Sequence, residues 1–199
     1  MVVSDPAPGG GKSNSFNFTV DNLAPTVTSL SPASAMEGSQ AQTLTINATN
    51  SVSALTVTYN AVAHTVTFVS PTELLSASDQ AKADSFAVVV TNPAPGGGKS
   101  VAVDLNADSP TPTITILTPA SVTAGAAAQT QTITGSSFVS TSTVIYNGVA
   151  HTVTFVSATE QKSTLRTTDE AKAGTYAAVG TNPAPGGGAS NAKNFTVNP

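Results

Sequence analysis

Asn92 to Ser100 reads NPAPGGGKS, and two readings compete for it. The closing Gly-Lys-Ser matches the end of the phosphate-binding loop G-x-x-x-x-G-K-[ST], which would make the chain a nucleotide binder. That loop needs glycine at position 93, where proline stands. The stretch recurs twice, as DPAPGGGKS from Asp5 to Ser13 and as NPAPGGGAS from Asn182 to Ser190. The early copy has Pro6 in place of the first glycine, and the last has Ala189 in place of the lysine that would reach the phosphates. A contact that one copy drops is not what the segment is for. The alternative is a corner, in which proline presets φ and the glycine run supplies positive φ.

Working outward from these corners, the whole chain repeats. PTVTSLSPAS at Pro25 to Ser34 returns as PTITILTPAS at Pro112 to Ser121, and AHTVTFVS at Ala63 to Ser70 returns unchanged at Ala150 to Ser157, both at a spacing of 87. The glycine runs that begin at Gly9, Gly96 and Gly186 are spaced by 87 and then 90, so the last unit carries three extra residues, between Glu160 and Ala171. A period of this length is a small domain, too long for a solenoid rung. Two front ends and three tails predict two whole modules, 23–108 and 109–199, preceded by 1–22 as the closing hairpin of another. The arrangement reads as a cut from a longer tandem array.

The periodicity inside a module is that of strands. In TITIL, Ile114 and Ile116 alternate with Thr113 and Thr115, and TVTFV at Thr152 to Val156 reads as a strand covered on both faces. Asn147-Gly148 in VIYNGVAHTV suits a two-residue hairpin turn that needs positive φ twice; the first module has Asn60-Ala61 there, which predicts a strained turn or another type. The short, β-branched runs, roughly seven per module, point to an antiparallel two-sheet sandwich. Helix is expected only as a turn around DEAKA, Asp169 to Ala173, and its counterpart DQAKA, Asp79 to Ala83.

These pieces together resemble a family. An opening P-x-[IV]-x-x-[LI]-x-P, TITGSSF at Thr132 to Phe138, YNG, FVS, AGTY at Ala173 to Tyr176 and the TNPAPGGGAS corner followed by NFTV are similar, in order and spacing, to an IPT/TIG domain. The resemblance covers both modules and the leading tail. It implies an all-β chain of tandem immunoglobulin-like antiparallel β-sandwiches. Such domains occur in bacterial surface proteins, polysaccharide-acting enzymes and eukaryotic receptors, so the resemblance implies a fold more than a task. The first module departs from the pattern: Ala48 replaces Gly135, Ser51 replaces Phe138, and Ala83-Asp84 replaces Ala173-Gly174.

Composition narrows the function classes. Of the 199 residues 9% are charged and 39% hydrophobic, with net charge −4, so no basic patch is available for nucleic acid. Cysteine is absent, which excludes disulfides, thiolate metal sites and a cysteine nucleophile. No apolar run approaches the ~18 residues of a membrane span, and the first residues lack the apolar core of a secretory signal. An export signal is therefore expected upstream of this sequence, or export by that route does not occur.

No catalytic set emerges. His64 and His151 occupy matching places in AHTVTF without an acidic residue nearby in sequence, no G-x-S-x-G elbow is present, and Glu73 and Glu160 are single module-related copies rather than a carboxylate pair. The expectation is a chain without enzymatic activity and without a cofactor. Asp104, Asn106 and Asp108 place oxygen ligands at alternate positions, a donor set suited to calcium; the same alternation describes the outward face of a last strand. Tyr59 and Tyr146, before the hairpin turns, are the ligand residues to weigh for a sugar, although the chain has no Trp. Phe16, Phe18 and Val20 lie on one face of the leading hairpin, which is too small to be stable alone, and are the residues to weigh for assembly.

The function expected is a non-enzymatic stalk, spacer or adhesive scaffold of an extracellular surface protein or filament. Its partners are neighbouring modules of the same array, another copy through the leading hairpin, or a surface glycan or protein. An accessory carbohydrate-binding module and a virion fibre or decoration protein that assembles by strand donation through residues 1–22 are the competing readings.

Overall fold

The computed structural model describes all residues except Asp79 and Gln80. Its first set of strands is β1 (Thr26–Ser31), β2 (Ser34–Met36), β3 (Thr43–Thr49), β4 (Thr56–Tyr59), β5 (Val62–His64), β6 (Val66–Ser70), β7 (Glu73–Ala77), β8 (Asp84–Asn92), β9 (Gly98–Lys99) and β10 (Val103–Asp108). They form a four-stranded sheet, β1-β3-β7-β6, and a six-stranded sheet, β2-β10-β8-β4-β5 with β9 on β8. The second set repeats this: β11 (Thr113–Thr118), β12 (Ser121–Thr123), β13 (Gln129–Ser136), β14 (Thr143–Tyr146), β15 (Val149–His151), β16 (Val153–Ser157), β17 (Glu160–Leu165), β18 (Gly174–Asn182), β19 (Gly188–Ala189) and β20 (Lys193–Asn198). Its sheets run β11-β13-β17-β16 and β12-β20-β18-β14-β15, with β19 on β18. The fold is all-β, a tandem of immunoglobulin-like antiparallel sandwiches. The extra strands beyond the seven expected per module are short pieces, including the parallel pairings of β2 with β10 and β12 with β20.

In the second sandwich Ile114, Leu117, Ile133, Phe138, Val144 and Phe195 anchor the apolar core. The alternation expected for TITIL fails inside β11. The register shifts between Ile114 and Ile116, so Ile114 and Leu117 face inward while Ile116 is 54% exposed. A bulge adds one residue to a strand and thereby reverses the phase of its side chains. TVTFV is likewise corrected: β16 is the edge of its sheet, and Phe155 and Val156 are exposed rather than covered on both faces. The DEAKA segment forms turns without helix, closed by Asp169 N–H donating to Arg166 O. Its counterpart, Asp79 to Ala83, includes the two residues outside the description.

The hairpin turns are of one kind in both sandwiches. Asn147 and Gly148 have φ of 46° and 83°, and Asn60 and Ala61 have φ of 45° and 65°. The first hairpin keeps the two-residue turn and places an alanine in the left-handed region, where its Cβ crowds the backbone. The departures Ala48 and Ser51 also have a shared geometry. A Cβ on Gly135 would lie 1.9 Å from Thr113 O and 2.7 Å from the Phe138 ring. Where the first sandwich has Ala48 it has the small Ser51 in place of that ring, so the two differences accompany each other.

Residues 1–16 close a narrow loop, with Ser4 bridging Lys12 and hydrogen bonds joining Ser13 to Val3 and Phe16 to Met1. Phe18 and Val20 align with Phe195 and Val197 by their distance from the glycine run. The latter pair is buried in the second core, whereas Phe18 is 83% exposed and Phe16, Val20 and Leu23 are exposed with it.

Candidate functional site

The glycine corners hold their own chain. Asn182 is buried; its amide nitrogen donates to Pro110 O at 2.6 Å and Ser137 O at 2.7 Å, and its amide oxygen accepts from Ser142 Oγ at 2.5 Å. Gly187 N–H donates to Ser109 O, and Ser109 N–H donates to Pro185 O. Thr111 Oγ1 completes the clamp on Gly187 O at 2.8 Å. The first sandwich repeats it, with the Asn92 amide donating to Leu23 O at 2.9 Å and Asn50 O at 2.6 Å, while Asn22 engages Pro95 O and Gly97 N–H. A side chain at Gly187 would meet Pro183 O at 2.4 Å with φ at +67°, so only glycine suits this approach.

These corners are therefore not phosphate loops. The amides of Gly97 and Gly187 point at backbone carbonyls, Gly98–Lys99 is a two-residue strand rather than a helix start, and Lys99 is exposed, as is Ala189 in the other copy. The sequence reading recognised the turn and missed the asparagine. Its signal was present: Asn92 and Asn182 open both complete copies, and the leading copy, which lacks a front strand, has Asp5.

Tyr59 and Tyr146 are 1% and 4% exposed, so neither ring is a platform for a sugar. Tyr59 stacks on His64 with centroids 3.9 Å apart, and Tyr146 meets His151 edge-on at 4.8 Å. Burial pushes the Tyr146 hydroxyl well above the usual tyrosine range; the nearby Ser163 hydroxyl pulls it back and the Asp169 charge adds to the rise. It remains a donor and bonds the Gln131 side-chain oxygen. His151 Nδ1 lies 3.1 Å from Thr164 O, a pure acceptor, so the hydrogen is on Nδ1. Its Nε2 lies 3.5 Å from Asp169 Oδ1. Folding thus brings an acid to His151 that the sequence, eighteen residues apart, does not reveal.

Asp104, Asn106 and Asp108 lie on the less buried side of β10, alternating with buried Leu105 and Ala107. Among the described residues no group of three or more His, Cys, Asp or Glu could hold a metal ion, and no helix is long and apolar enough to cross a membrane.

The second sandwich has one further feature, a cavity of about 140 Å³ lined by Tyr146, Leu165, Asp169, Tyr176 and Phe195 among others. Next to it lies a buried polar group absent from the first sandwich. Gln131 and Gln161 take the places of Leu44 and Leu74, and all four side chains are fully buried. Gln131 bonds Pro119 O at 2.8 Å and Tyr146, whereas neither amide atom of Gln161 has a hydrogen-bond partner.

No protein-family model matches the chain, and no curated protein matches it. Among solved structures it is similar to the adhesin InvE of Yersinia pseudotuberculosis, at 12% identity and a TM-score of 0.53 over 88% of this chain and 59% of that one. It is also similar to the plexin A4 extracellular region (13%, TM-score 0.38, 91% of this chain, 18% of that). A third is SGBP-B from a xyloglucan utilization locus of Bacteroides uniformis (16%, TM-score 0.37, 87% and 49%). The chain thus spans less than half the length of the last two. At 12% identity the likeness to InvE shows a shared fold and nothing finer.

Proposed function

We propose that the chain is part of a non-enzymatic, extracellular scaffold, a stalk or adhesive spacer built from serial IPT/TIG-type modules with boundaries at 1–22, 23–108 and 109–199. The observation that carries this is the repeated clamp. In both sandwiches the most distinctive motif holds the segment that enters the first strand, through Asn92 with Asn22 and Asn182 with Ser109. Ser109 directly follows β10, and both its backbone groups are bonded within the second clamp. Proximity divides the chain differently, grouping segments 33–42 and 78–86 with residues 105–199. We draw the boundary by the hydrogen-bonded sheets because strand ladders unfold together. Pulling the chain from its ends tests both points: two rupture events are expected, each lengthening it by about 30 nm. A single event would refute the division, and glycan-array binding by the intact chain would favour a carbohydrate-binding role over a passive spacer.

One observation favours a second role. Phe16, Phe18 and Val20 form an exposed apolar row, which in another copy could add to a sheet edge or replace a resident strand. Self-association through residues 1–22 predicts a larger mass in solution for the full chain than for residues 23–199. Equal monomeric masses would remove it.

A further inference from the structure

We propose that two copies of the chain pair through their leading hairpins, the apolar face of residues 1–22 in one copy lying antiparallel on the same face of the other. This contact rests on the self-association proposed above and gives it a single mode. Counted from the glycine runs, residues 1–22 correspond to 88–109 and 178–199, and they already have the geometry of those hairpins. Ser13 N–H donates to Val3 O and Val3 N–H donates to Ser13 Oγ, as Ser100 does with Val90 and Ser190 with Gly180. The difference is cover. Val88, Val90 and Leu105 of one complete hairpin, and Ala178, Phe195 and Val197 of the other, are buried, whereas Met1, Val3, Phe16, Phe18 and Val20 are exposed. A face formed in advance loses little on binding.

The chain holds three such hairpins, and its described residues build two sandwiches to receive them. When a leading hairpin takes the place of a resident one, the resident is expelled and the number of uncovered faces is unchanged. Apolar burial therefore does not drive that exchange. The fit is also poorer. Asp5, as a carboxylate, cannot donate the two bonds that Asn182 makes to Pro110 O and Ser137 O, or those of Asn92 to Leu23 O and Asn50 O. Val3 would stand in the place of Gly180, where a Cβ alone lies 3.6 Å from Ile114 Cδ1, and its methyl groups would overpack that core. Addition to a sheet edge satisfies backbone groups but carries the row past the end of the opposing sheet, so the two phenylalanines keep a face in water. Face-to-face pairing covers both rows at once and closes as a two-fold dimer.

Each hairpin continues through Asp21 and Asn22 into its first sandwich. Antiparallel pairing places the two sandwiches at opposite ends, whereas parallel pairing sets them against each other. In the antiparallel pair the corner of one hairpin, with Asp5 and Lys12, meets the open end of the other, with the Met1 ammonium and Asp21. A two-fold axis across the strands sets Lys12 against Asp21 of the second copy and Asp5 against its ammonium, so opposite signs face each other at both ends. Five side chains of this size cover roughly 500–700 Å² per copy, short of the about 800 Å² of a standard interface. A weak dimer is expected, with a dissociation constant on the order of 100 μM.

The test is sedimentation equilibrium of the full chain at concentrations below and well above that constant. The mass should rise to a ceiling of two copies. Phe18→Asp, at an exposed position where folding is not at risk, should weaken pairing at least about tenfold. Lys12→Asp and Asp21→Lys should each pair more weakly alone and recover when mixed, because only the mixed dimer keeps opposite signs together. A monomer at every concentration would sink both this contact and self-association. Masses beyond two copies, the mark of an open head-to-tail contact, or no recovery on mixing would refute the hairpin pair and leave self-association through residues 1–22 standing.

Discussion

Asn182→Leu should lower the stability of the second sandwich by about 3–4 kcal/mol, a loss of about 15–25 °C in its unfolding temperature. The change nearly conserves shape, so little of the effect comes from packing. What is lost is three hydrogen bonds at once: two donated to Pro110 O and Ser137 O, and one accepted from Ser142 Oγ. Each deserted group in a half-buried or buried place costs on the order of 1 kcal/mol. Because Asn92 makes the equivalent clamp with Leu23 O and Asn50 O, the first sandwich keeps its stability and serves as the control. Lys99→Ala, in the same motif, should change stability by less than about 0.5 kcal/mol, since the side chain is exposed. Calorimetry of both variants decides the matter. A strong effect of Lys99→Ala with none from Asn182→Leu would reverse the assignment of the two ends of the motif.

How far the sequence discloses this architecture depends on whether a signal is local. The Asn147-Gly148 turn is legible because two adjacent positive φ values demand such residues. The glycine corners are legible because three copies can be compared. By contrast, the bulge between Ile114 and Ile116 leaves no mark in a pattern of alternating Thr and Ile; only the partner strand decides which isoleucine turns outward. The exposure of Phe155 follows from β16 lying at a sheet edge, which is a matter of topology. The site residues were the least legible. Tyr146 draws attention from sequence as a sugar-ligand candidate at a core or rim position; its ring is internal, and Asp169, Tyr176 and Phe195 line the same cavity from three separate segments. Sequence distance hides such a constellation. An internal repeat, however, exposes what differs between two copies of one frame, and Gln131 and Gln161 against Leu44 and Leu74 is the clearest difference.

That difference carries a prediction of opposite signs. The two glutamines lie on the inward-facing rows of β13 and β17, with Gln131 opposite Ser163 and Gln161 opposite Ile133. The first sandwich has Leu44 opposite Ser76 and Leu74 opposite Ile46 in the same register, so leucine is compatible with this ladder at both places. Gln161 is fully buried with neither amide atom bonded. Its replacement by leucine removes two unsatisfied groups and adds apolar contact, and should stabilise the second sandwich by about 2–3 kcal/mol. Gln131 is different, because its amide joins Pro119 O to the Tyr146 hydroxyl. Gln131→Leu deserts both, and should destabilise by about 1–2 kcal/mol, with Ser163 able to recover part of the loss at Tyr146. Chemical denaturation of the two single variants checks the contrast. A loss of stability in Gln161→Leu would show that its amide meets a need in the folded protein, and a gain in Gln131→Leu would show that the Tyr146 bond is dispensable. The expected pair of signs follows from hydrogen-bond satisfaction alone, since both substitutions have the same chemistry, the same burial and the same precedent in the neighbouring repeat.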